Sequence, residues 1–434
     1  MIRIYDGQSF QTGFTRQRFD DYPEALASVR QILTAVCQEG DAAVFRYTEK
    51  FDGAVLKTLQ VSDEEFAVAK KQVEEKVVTA LKEAAENIRT FHRQQVRQSW
   101  FDSRPDGSVL GVRVTPLERV GAYIPGGSAA YPSTVLMTVI PARVAGVKEI
   151  YLVTPPDADG SVNPYTLVAA ELAGVDAVFK CGGAQAIAAL AYGTKTIPAV
   201  DKIVGPGNLY VTLAKREVAG IVGIDMPAGP SEILVVADET ARTDFVAADL
   251  LSQAEHDPLA AAYCVTTSAR LAAELPEELK RQCSVLKRSE IAATSLKNQG
   301  ALIKVNTLAE AVEIVNLLAP EHLELQVADP WALLGKVQHA GAIFLGAYTP
   351  EPVGDYWAGP NHVLPTAGTG RFASVLSVDD FLKLSSVLYY SPQLLLQKAK
   401  KIECLAEVEG LQAHSLAISL RREFLEKQDG KLEP

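Results

Sequence analysis

The sequence has few cysteines, and they are not spaced as cysteine pairs that bind metals or form disulfide frameworks. Five occur in 434 residues, at positions 37, 181, 264, 283 and 404, without a CxxC motif. This scatter excludes a disulfide scaffold and is typical of a reducing compartment. Cys181, which precedes two glycines, is the best placed for a thiol adduct. We give it no catalytic role, because buried structural cysteine is the commoner case.

Long apolar runs are also missing. The first ten residues, MIRIYDGQSF, lack the apolar core of a signal peptide. The most apolar stretches, 131–147 and 182–200, are interrupted by prolines and charged residues such as Arg143 and Pro198. We therefore expect a cytoplasmic protein without a membrane span.

The sequence has no excess of positive charge. It contains 42 basic and 53 acidic side chains, which give a net charge of −11. A general binder of nucleic acid or acidic membranes needs a basic face, so we expect neither partner. The acidic balance still allows an anionic cofactor, because glycine-rich loops and helix N-termini bind phosphate locally.

What the sequence does contain, from residue 117 onward, is an alternation of short β-branched runs and apolar-periodic segments. We predict strands at 118–124, 149–154, 176–180, 201–204, 232–237, 261–267, 301–305, 322–327 and 342–346. We predict helices near 132–145, 164–173, 184–192, 208–219, 241–254, 268–282, 308–318 and 330–337. This alternation favours parallel sheets with crossover helices.

The first hundred residues and the tail from about 378 are predicted to be helical. Pro23 and Gly40 match the usual start and end of a helix, and Ser62 with Glu65 forms a capping-box pattern. The predicted fold class is therefore α/β, with two doubly wound Rossmann-like units and helical N-terminal and C-terminal extensions.

Three glycine-rich segments follow predicted strands and open predicted helices. They are YIPGGSAAYPST (123–134), KCGGAQAIA (180–188) and VGPGNLYV (204–211), and none is a GxGxxG fingerprint. Tight βα turns are the simpler explanation for each. Three such turns in one unit favour a ligand crevice, since their backbone amides can hold a pyrophosphate.

The segment LLSQAEHDP places Gln253 and His256 at the end of a predicted helix. Their i, i+3 spacing puts an amide oxygen and an imidazole on one helical face, where both could meet one cation. Glutamine is an uncommon zinc ligand. The alternative is a polar helix terminus, with His256 stabilised by the C-terminal dipole.

The stretch 346–371 is rich in glycine and proline, with too little periodicity for a strand or helix. Long irregular loops in compact domains are usually functional. Asp355 and His362 lie in this stretch, and we expect Gly354 to allow unusual backbone geometry beside Asp355. A turn-capping role is the alternative for Asp355.

Glu321 and His322 lie in APEHLEL, where a loop enters a predicted strand. A histidine there would suit a general base for an alcohol proton, and the carboxylate beside it could activate water. An exposed loop pair is the alternative.

The tail segment EVEGLQAHSLAI contains Glu409 and His414, and we expect Gly410 to break the helix between them. A polar position on an amphipathic helix is the alternative for His414. Two histidines, one aspartate and one amide would suit zinc, but their spacing does not show that they converge.

At these positions the sequence closely resembles the histidinol dehydrogenase family over essentially its whole length. The motifs that carry the resemblance are ERVGAYIPGG, GGAQAIAALAYGT, VGPGN, AGPSEILVVAD, DLLSQAEHDP, APEHLE, GDYWAGPNHVLPT and EGLQAHSLAI. The resemblance implies four-electron oxidation of L-histidinol to L-histidine through the bound aldehyde. It also implies two NAD molecules consumed per turnover and one zinc ion per subunit.

The family's functional residues fall on matching positions of this sequence. The implied zinc ligands are Gln253, His256, Asp355 and His414, and the implied catalytic pair is Glu321 and His322. Substrate contacts are implied at all six of these residues and at Ser231, His362 and Glu409. Dinucleotide contacts are implied at Tyr123, Gln185 and Asn208.

The resemblance also implies a homodimer with intertwined tails, so that Glu409 and His414 serve the active site of the partner. We accordingly divide the chain into four parts. These are a helical region (1–122) completing the first α/β domain, an inserted Rossmann-like NAD-binding domain (123–231), a main α/β domain with the metal and catalytic residues (232–377), and a helical tail packing on the partner (378–434).

Three other functions fit parts of the sequence. A related zinc and NAD dehydrogenase for another small hydroxyl compound, such as a hydroxy-sulfonate, would keep the Glu–His pair and the metal. Glu409 and His362 favour histidinol over that alternative. A zinc hydrolase would use the same ligands without a dinucleotide, and a non-catalytic assembly protein would need no tightly bound zinc.

Overall fold

A computed structural model describes residues 2–13, 22–126, 130–227 and 229–429 of the chain. The middle of the first glycine-rich segment (127–129), Ala228 in the AGPSEILVVAD motif, and residues 430–434 of the predicted tail lie outside the described residues.

The chain divides into two compact units. The first comprises Met1–Val96 and Leu117–Phe381, and the second comprises Arg97–Pro116 and Leu382–Pro434. The domain boundaries proposed from the sequence stay a prediction. None of the described helices combines the length and the apolar character needed to cross a membrane.

The elements are numbered in chain order. The strands are β1 (Arg3–Asp6), β2 (Trp100–Ser103), β3 (Val109–Pro116), β4 (Arg119–Tyr123), β5 (Glu149–Thr154), β6 (Ala177–Lys180), β7 (Lys202–Val204), β8 (Gly223–Ile224), β9 (Glu232–Ala237), β10 (Ala261–Thr266), β11 (Ala301–Lys304), β12 (His322–Gln326), β13 (Ala342–Leu345) and β14 (Leu382–Tyr389). The helices are α1 (Gly7–Gly13), α2 (Pro23–Glu39), α3 (Asp41–Asp52), α4 (Asp63–Gln72), α5 (Glu75–Arg93), α6 (Pro132–Ala145), α7 (Pro164–Ala173), α8 (Gly183–Tyr192), α9 (Leu209–Val218), α10 (Thr243–Ala254), α11 (Ala269–Cys283), α12 (Ser289–Gln299), α13 (Leu308–Leu318), α14 (Trp331–Leu334), α15 (Glu351–Val353), α16 (Pro392–Val408) and α17 (Gln412–Asp429).

Two parallel sheets organise the first unit. One has the strand order β6-β5-β4-β7-β8, and the other has the order β1-β11-β10-β9-β12-β13. In the first sheet the strand order reverses between β4 and β7, and in the second it reverses between β9 and β12. Strands β4 and β9 each begin one of the two series of alternating strands and helices. Ligands bind at such switch points in doubly wound folds. The prediction of two doubly wound α/β units is confirmed.

Strand β9 shows why this sequence builds a sheet that is covered on both faces. All six of its residues are buried. Ile233 and Val235 pack into one hydrophobic cluster, while Leu234 and Val236 pack into another. Alternate side chains of a strand point to opposite faces, so a continuous apolar run requires a layer of helices on each side.

Most predicted elements agree with the structure. The strands at 149–154 and 232–237 and the helices at 132–145, 164–173 and 308–318 have the predicted bounds. The capping box of Ser62 and Glu65 is also present, because each residue's side chain accepts a hydrogen bond from the other's backbone N–H.

Three predictions about secondary structure were wrong. The first hundred residues are not all helical, because β1 pairs with β11 at the edge of the six-stranded sheet. The tail begins with a strand, β14, which pairs antiparallel with β3. The stretch 346–371 is not wholly irregular, since it contains α15, a π-helical turn at Gly354–Ala358 and a 3₁₀ turn at Thr369–Arg371.

The second unit contains an antiparallel sheet with the order β14-β3-β2 and the helices α16 and α17. These two helices pack on each other and are joined at Gly410, whose φ is +71°. The helix break predicted at Gly410 is therefore confirmed. A left-handed backbone conformation at this position suits glycine, which has no Cβ.

Candidate active site

Glu321 and His322 lie where β12 begins, at the amino-terminal edge of the six-stranded sheet, and both contact the start of the neighbouring strand β9. The backbone N–H of Glu232 donates a hydrogen bond to Oε2 of Glu321, over 2.9 Å. The backbone oxygen of the same residue lies 3.0 Å from Nδ1 of His322. Both side chains are buried and lie 3.7 Å apart. The alternative of an exposed loop pair is therefore wrong.

The hydrogen bond of His322 fixes its tautomer. A carbonyl oxygen only accepts, so Nδ1 carries the hydrogen and Nε2 keeps a free lone pair. Nε2 is buried and has no hydrogen-bond partner, and it lies 3.9 Å from Oδ1 of Asp355. Burial, with the nearby His362 and His256, lowers the pKa of His322 to about 3. The imidazole is therefore neutral at pH 7, with Nε2 available as an acceptor.

The chain beyond β13 turns back across the sheet and brings two carboxylates to the same place. The backbone N–H of Glu351 donates to Oε1 of Glu324 on β12, over 2.8 Å. Asp355 follows one turn later, in the π-helical segment. Short π-helical segments are frequent at functional sites.

Gly354 has a different role from the one predicted. Its φ of −69° and ψ of −46° are ordinary helical values. A Cβ at this position would lie 2.7 Å from Cε1 of Phe344. Glycine is thus required for close packing against the Phe344 ring, which lies 6.0 Å from the His322 ring.

The end of α10 supplies the amide and the second imidazole. Gln253 lies in the last turn of α10, and His256 lies just beyond the helix end. Their side chains still meet, with 3.3 Å between Nε2 of Gln253 and Nδ1 of His256. Ser252, beside them, donates a hydrogen bond to Oε2 of Glu351 over 3.1 Å. These contacts join α10 to the segment that carries Asp355.

Three of these side chains have the donor atoms of a metal site. Ligand atoms of His322, Glu351 and Asp355 all lie within 4.8 Å of one another. Oε1 of Gln253 and Oδ1 of Asp355, like Nε2 of His322, are buried without a hydrogen-bond partner. Buried polar atoms in proteins are normally paired. An ion bound by nitrogen and oxygen donors would satisfy the oxygens of Gln253 and Asp355, so the residues present fit a zinc site.

The raised pKa values of the buried carboxylates agree with a binding site for a cation. Burial raises the pKa of Asp355 to about 6. Burial and the neighbouring Asp355 carboxylate raise the pKa of Glu351 to about 8. Burial, with the carboxylates of Glu232, Asp355 and Glu351, raises the pKa of Glu321 well above its usual range. A cation among these groups would favour their charged forms.

Two predicted substrate contacts lie at the border of this cluster. Nδ1 of His362 is 3.1 Å from the backbone oxygen of Asp355, which again makes Nδ1 the donor and leaves Nε2 as an acceptor. Burial lowers the pKa of His362 to about 4. Ser231 directly precedes β9, and its backbone oxygen accepts a hydrogen bond from Ala261.

The predicted dinucleotide contacts lie at the carboxyl edge of the five-stranded sheet. Tyr123 ends β4, and its hydroxyl accepts a hydrogen bond from the backbone N–H of Gly183, which opens α8. Gln185 is almost completely buried, and neither polar atom of its amide has a hydrogen-bond partner. Asn208 caps α9 by accepting a hydrogen bond from the backbone N–H of Val211.

A polar ligand would suit this edge. Gly205, after β7, has a φ of +110°, and a Cβ there would lie 2.2 Å from the backbone oxygen of Tyr123. The close approach of the two βα turns at the switch point therefore requires this glycine. The unpartnered amide of Gln185 fits a ligand with hydrogen-bonding groups, such as a dinucleotide.

Glu409 and His414 belong to the second unit. Glu409 follows the end of α16, and His414 lies in the first turn of α17. Both side chains are exposed. Their participation in an active site stays a prediction.

The structure thus brings Gln253, His256, Glu321, His322, Asp355 and His362 together at one edge of the six-stranded sheet. Sequence reasoning did not identify Glu351. A signal was present, because Glu351 precedes Asp355 by four residues and i, i+4 side chains share a helical face. The prediction of an irregular stretch hides this spacing, because i, i+4 neighbours share a face only in a helix.

Comparisons with known proteins indicate the family to which this chain belongs. The family model for histidinol dehydrogenase matches residues 15–422. The histidinol dehydrogenase of Halalkalibacterium halodurans is 56% identical over 396 residues, which cover 91% of this chain and 93% of that protein. The one from Clostridium acetobutylicum is 51% identical over 416 residues, covering 96% of each. The crystal structure of histidinol dehydrogenase from Elizabethkingia anophelis matches with a TM-score of 0.91 and 38% identity, covering 98% of this chain and 99% of that one. The chain therefore belongs to the histidinol dehydrogenase family.

Proposed function

We propose that this enzyme oxidises L-histidinol to L-histidine with NAD, in two hydride transfers that pass through a bound aldehyde. The observation that carries the proposal is the free, buried Nε2 of His322, which faces Asp355 and lies beside Glu321. A base, a carboxylate and a set of metal donors are what such an oxidation needs in one place. Relatives named histidinol dehydrogenase, among them one that is 56% identical, support the choice of substrate.

We propose Gln253, His256 and Asp355 as zinc ligands from one subunit, with His414 of the partner subunit as the fourth. The unpartnered oxygens of Gln253 and Asp355 support this assignment. Zinc held there would bind the amine and imidazole of L-histidinol and so orient its hydroxyl group.

His322 acts as the general base in this proposal. Its Nδ1–H is held by the backbone oxygen of Glu232, so the free Nε2 accepts the hydroxyl proton as the hydride leaves to NAD. After this proton has been released, the same atom takes a proton from the hydrated aldehyde as the second hydride leaves to a second NAD. None of the described protein groups bonds to Nε2, so this acceptor is available to the substrate.

Glu321 activates the water that adds to the aldehyde. One carboxylate oxygen is held by the backbone N–H of Glu232, and its raised pKa makes the ionised form a stronger base than an exposed glutamate. Ser231, His362 and Glu409 would position the substrate. The free Nε2 of His362 suits an N–H donor on the imidazole of L-histidinol.

We propose Tyr123, Gln185 and Asn208 as dinucleotide contacts. They lie at the end of β4, in the first turn of α8 and after β7, around the point where the strand order reverses. Dinucleotides bind at this position in other doubly wound sheets.

The test is formation of NADH, followed by its absorbance, with L-histidinol and with a panel of small alcohols and hydroxy-sulfonates. We expect two NADH per L-histidinol and loss of activity after chelation, with recovery when zinc is restored. Turnover of a different alcohol without L-histidinol would contradict the proposed substrate. Activity that survives complete removal of the metal would contradict the metal's role.

We further propose a homodimer in which the tails complete each other's active sites. Apolar side chains of the second unit are unusually exposed, among them Leu388 at 71%, Leu405 at 66%, Val408 at 81% and Phe424 at 61%. Exposed apolar side chains on one unit support association through that unit.

Mixing two inactive variants tests the shared site. His322→Asn and His414→Asn chains should each be inactive alone. In a heterodimer one site carries both changes and the other carries neither, so a refolded mixture should regain about one quarter of wild-type activity. Failure to recover activity, with a dimer shown by light scattering, would mean that each chain builds its own site.

We also propose a cytoplasmic location. All five cysteines are free thiols, as expected for a reducing compartment. Cell fractionation with an antibody against the chain would check this.

A further inference from the structure

A second group of unpartnered polar atoms lies away from the proposed catalytic centre, where α3 meets the carboxyl edge of the five-stranded sheet. It comprises Oγ1 of Thr48, Oδ2 of Asp52 and both amide atoms of Gln185. Thr48 and Gln185 are at most 1% exposed. Buried polar atoms without partners are uncommon, and each needs an explanation.

The chain that follows α3 fixes the position of this group. Val61 donates a backbone hydrogen bond to Val178, and Lys180 donates one to Leu59, so this segment runs beside β6. Helix α3 packs against α8, which carries Gln185. Thr48 and Asp52 are four residues apart at the end of α3, and therefore share one face of that helix.

The surroundings of Cys181 also place Asp52 at this edge. Burial, and after it the nearby carboxylates of Asp52 and Asp41, raise the pKa of Cys181. Cys181 follows the end of β6 and precedes Gly182, which caps α8 without a side-chain hydrogen bond. The group therefore lies beside the N-terminus of α8, whose first backbone N–H, that of Gly183, donates to the Tyr123 hydroxyl.

In proteins with doubly wound sheets, an acidic side chain at the end of the second strand commonly binds the ribose of the dinucleotide. Here that strand is β5, and Pro155 follows it. Gly126 and Gly182 pack so tightly on Pro155 that a Cβ on either would approach its ring to 2.4 Å or 2.6 Å. Pro155 thus fills the usual place of the carboxylate. The next acidic residue, Asp157, is exposed.

We propose that Asp52 supplies the missing carboxylate and accepts hydrogen bonds from the adenosine ribose hydroxyls of the bound dinucleotide, thereby selecting NAD over NADP. This inference rests on the proposed use of a dinucleotide. A carboxylate accepts hydrogen bonds from hydroxyl groups, but it repels a phosphate on the same ribose. Gln185, with a free donor and a free acceptor, would bind the neighbouring part of the ligand.

The experiment measures the dissociation constants of NAD, NADP and ADP-ribose by calorimetry, with the whole zinc-loaded protein and without L-histidinol. The variants are Asp52→Asn and Asp52→Ser, and Asp157→Asn is the matched control. We expect the wild type to bind NAD at least about 10-fold more tightly than NADP. Asp52→Asn should weaken the binding of NAD and of ADP-ribose about 10-fold, and it should bring the ratio of NAD affinity to NADP affinity close to one.

The control should keep the wild-type affinities and ratio. Equal changes in NAD and NADP binding by both Asp52 variants, or no change at all, would overturn the inference. Thermal unfolding at pH 7 checks that each variant is folded.

The measurements distinguish failure of the proposed role of Asp52 from failure of the proposed substrate. Selective dinucleotide binding that depends on Asp52, without NADH formation from L-histidinol, would support the inference and contradict the proposed substrate. NADH formation with unaltered binding in Asp52→Asn would support the substrate and overturn the role of Asp52.

Discussion

Lys215 and Asp225 form an ion pair beneath the turn that contains Gly205, and both side chains are almost completely buried, at 2% and 1% exposure. The ammonium group also donates to the backbone oxygens of Gly205 and Met226, over 3.0 Å and 3.3 Å. The second carboxylate oxygen of Asp225 accepts a hydrogen bond from the backbone N–H of Gly205, over 2.7 Å. The pair therefore holds the turn that leads to Asn208.

The first prediction concerns this pair. Lys215→Met removes one partner and leaves the Asp225 carboxylate buried without its counter-charge. We expect the free energy of unfolding to fall by about 3–5 kcal/mol, measured by urea denaturation at pH 7. Dinucleotide binding should weaken as well, because the turn loses one of its two hydrogen bonds to the pair.

The control is Arg30→Gln, which breaks the exposed ion pair of Arg30 with Glu217. Solvent already screens that pair, so little change in stability is expected. If the two variants lost similar stability, burial would not be what makes the Lys215 pair important.

A second prediction tests the packing that holds Asp355. Gly354→Ala would place a Cβ 2.7 Å from Phe344, whose ring lies beside His322. The shift that relieves this clash should cost about 1–3 kcal/mol of unfolding free energy. It should also lower the affinity for zinc, measured by competition with a coloured chelator.

Gly335→Ala is the matched control for that change. Gly335 has a φ of −68°, and a Cβ there would meet nothing within 4 Å. Alanine at such a position should be neutral or slightly stabilising. If Gly354→Ala behaved in the same way, the close approach to Phe344 would be of no consequence for the site.

The third prediction separates the roles of Glu321 and His322. Stopped-flow absorbance can follow oxidation of L-histidinol and of L-histidinal separately. His322→Asn should lower the rate of both reactions by about 10²–10⁴-fold, the usual contribution of a general base. Glu321→Gln should lower mainly the rate of aldehyde oxidation, because only that reaction needs water. Equal losses in both reactions from Glu321→Gln would contradict this division.

Much of the fold was predictable because its signals are local. The run EILVVA at 232–237 is continuous and β-branched, and such a run forms a strand buried on both faces. Strands β1 and β14 were not predicted. Strand β1 lies at the edge of a parallel sheet, and β14 lies in the antiparallel sheet. At these positions pairing with a distant strand, rather than local pattern, determines the conformation.

The candidate site was less predictable from residue patterns alone. Gln253 and His256 are near neighbours, so their contact followed from spacing. The approach of Asp355 to His322 depends on the path of the chain beyond β13, which no local pattern encodes. Only the family resemblance indicated that these residues converge. Glu351 had no counterpart in that resemblance and was found from the structure.

The last prediction concerns the pH dependence of stability. Burial raises the pKa of Asp52 in the folded protein to about 6, from an ordinary value of 3.8. Between these values the folded chain keeps a proton on Asp52 that the unfolded chain has lost. The contribution of Asp52 to stability is therefore fully present below about pH 4, and it is lost as the pH rises through about 6.

Asp52→Asn removes this titration, so the variant should become more stable than the wild type as the pH rises from 4 to 7. The shift corresponds to ~3 kcal/mol, and solvent screening of the partly exposed carboxyl should reduce the observed gain to about 1 kcal/mol. Urea denaturation at pH 4, 5, 6 and 7 would measure it. Asp159→Asn gives a control of opposite sign, because hydrogen bonds from Ser161 lower the pKa of Asp159. A stability difference between Asp52→Asn and wild type that is independent of pH would mean that the Asp52 carboxyl is as well solvated in the folded protein as in the unfolded chain.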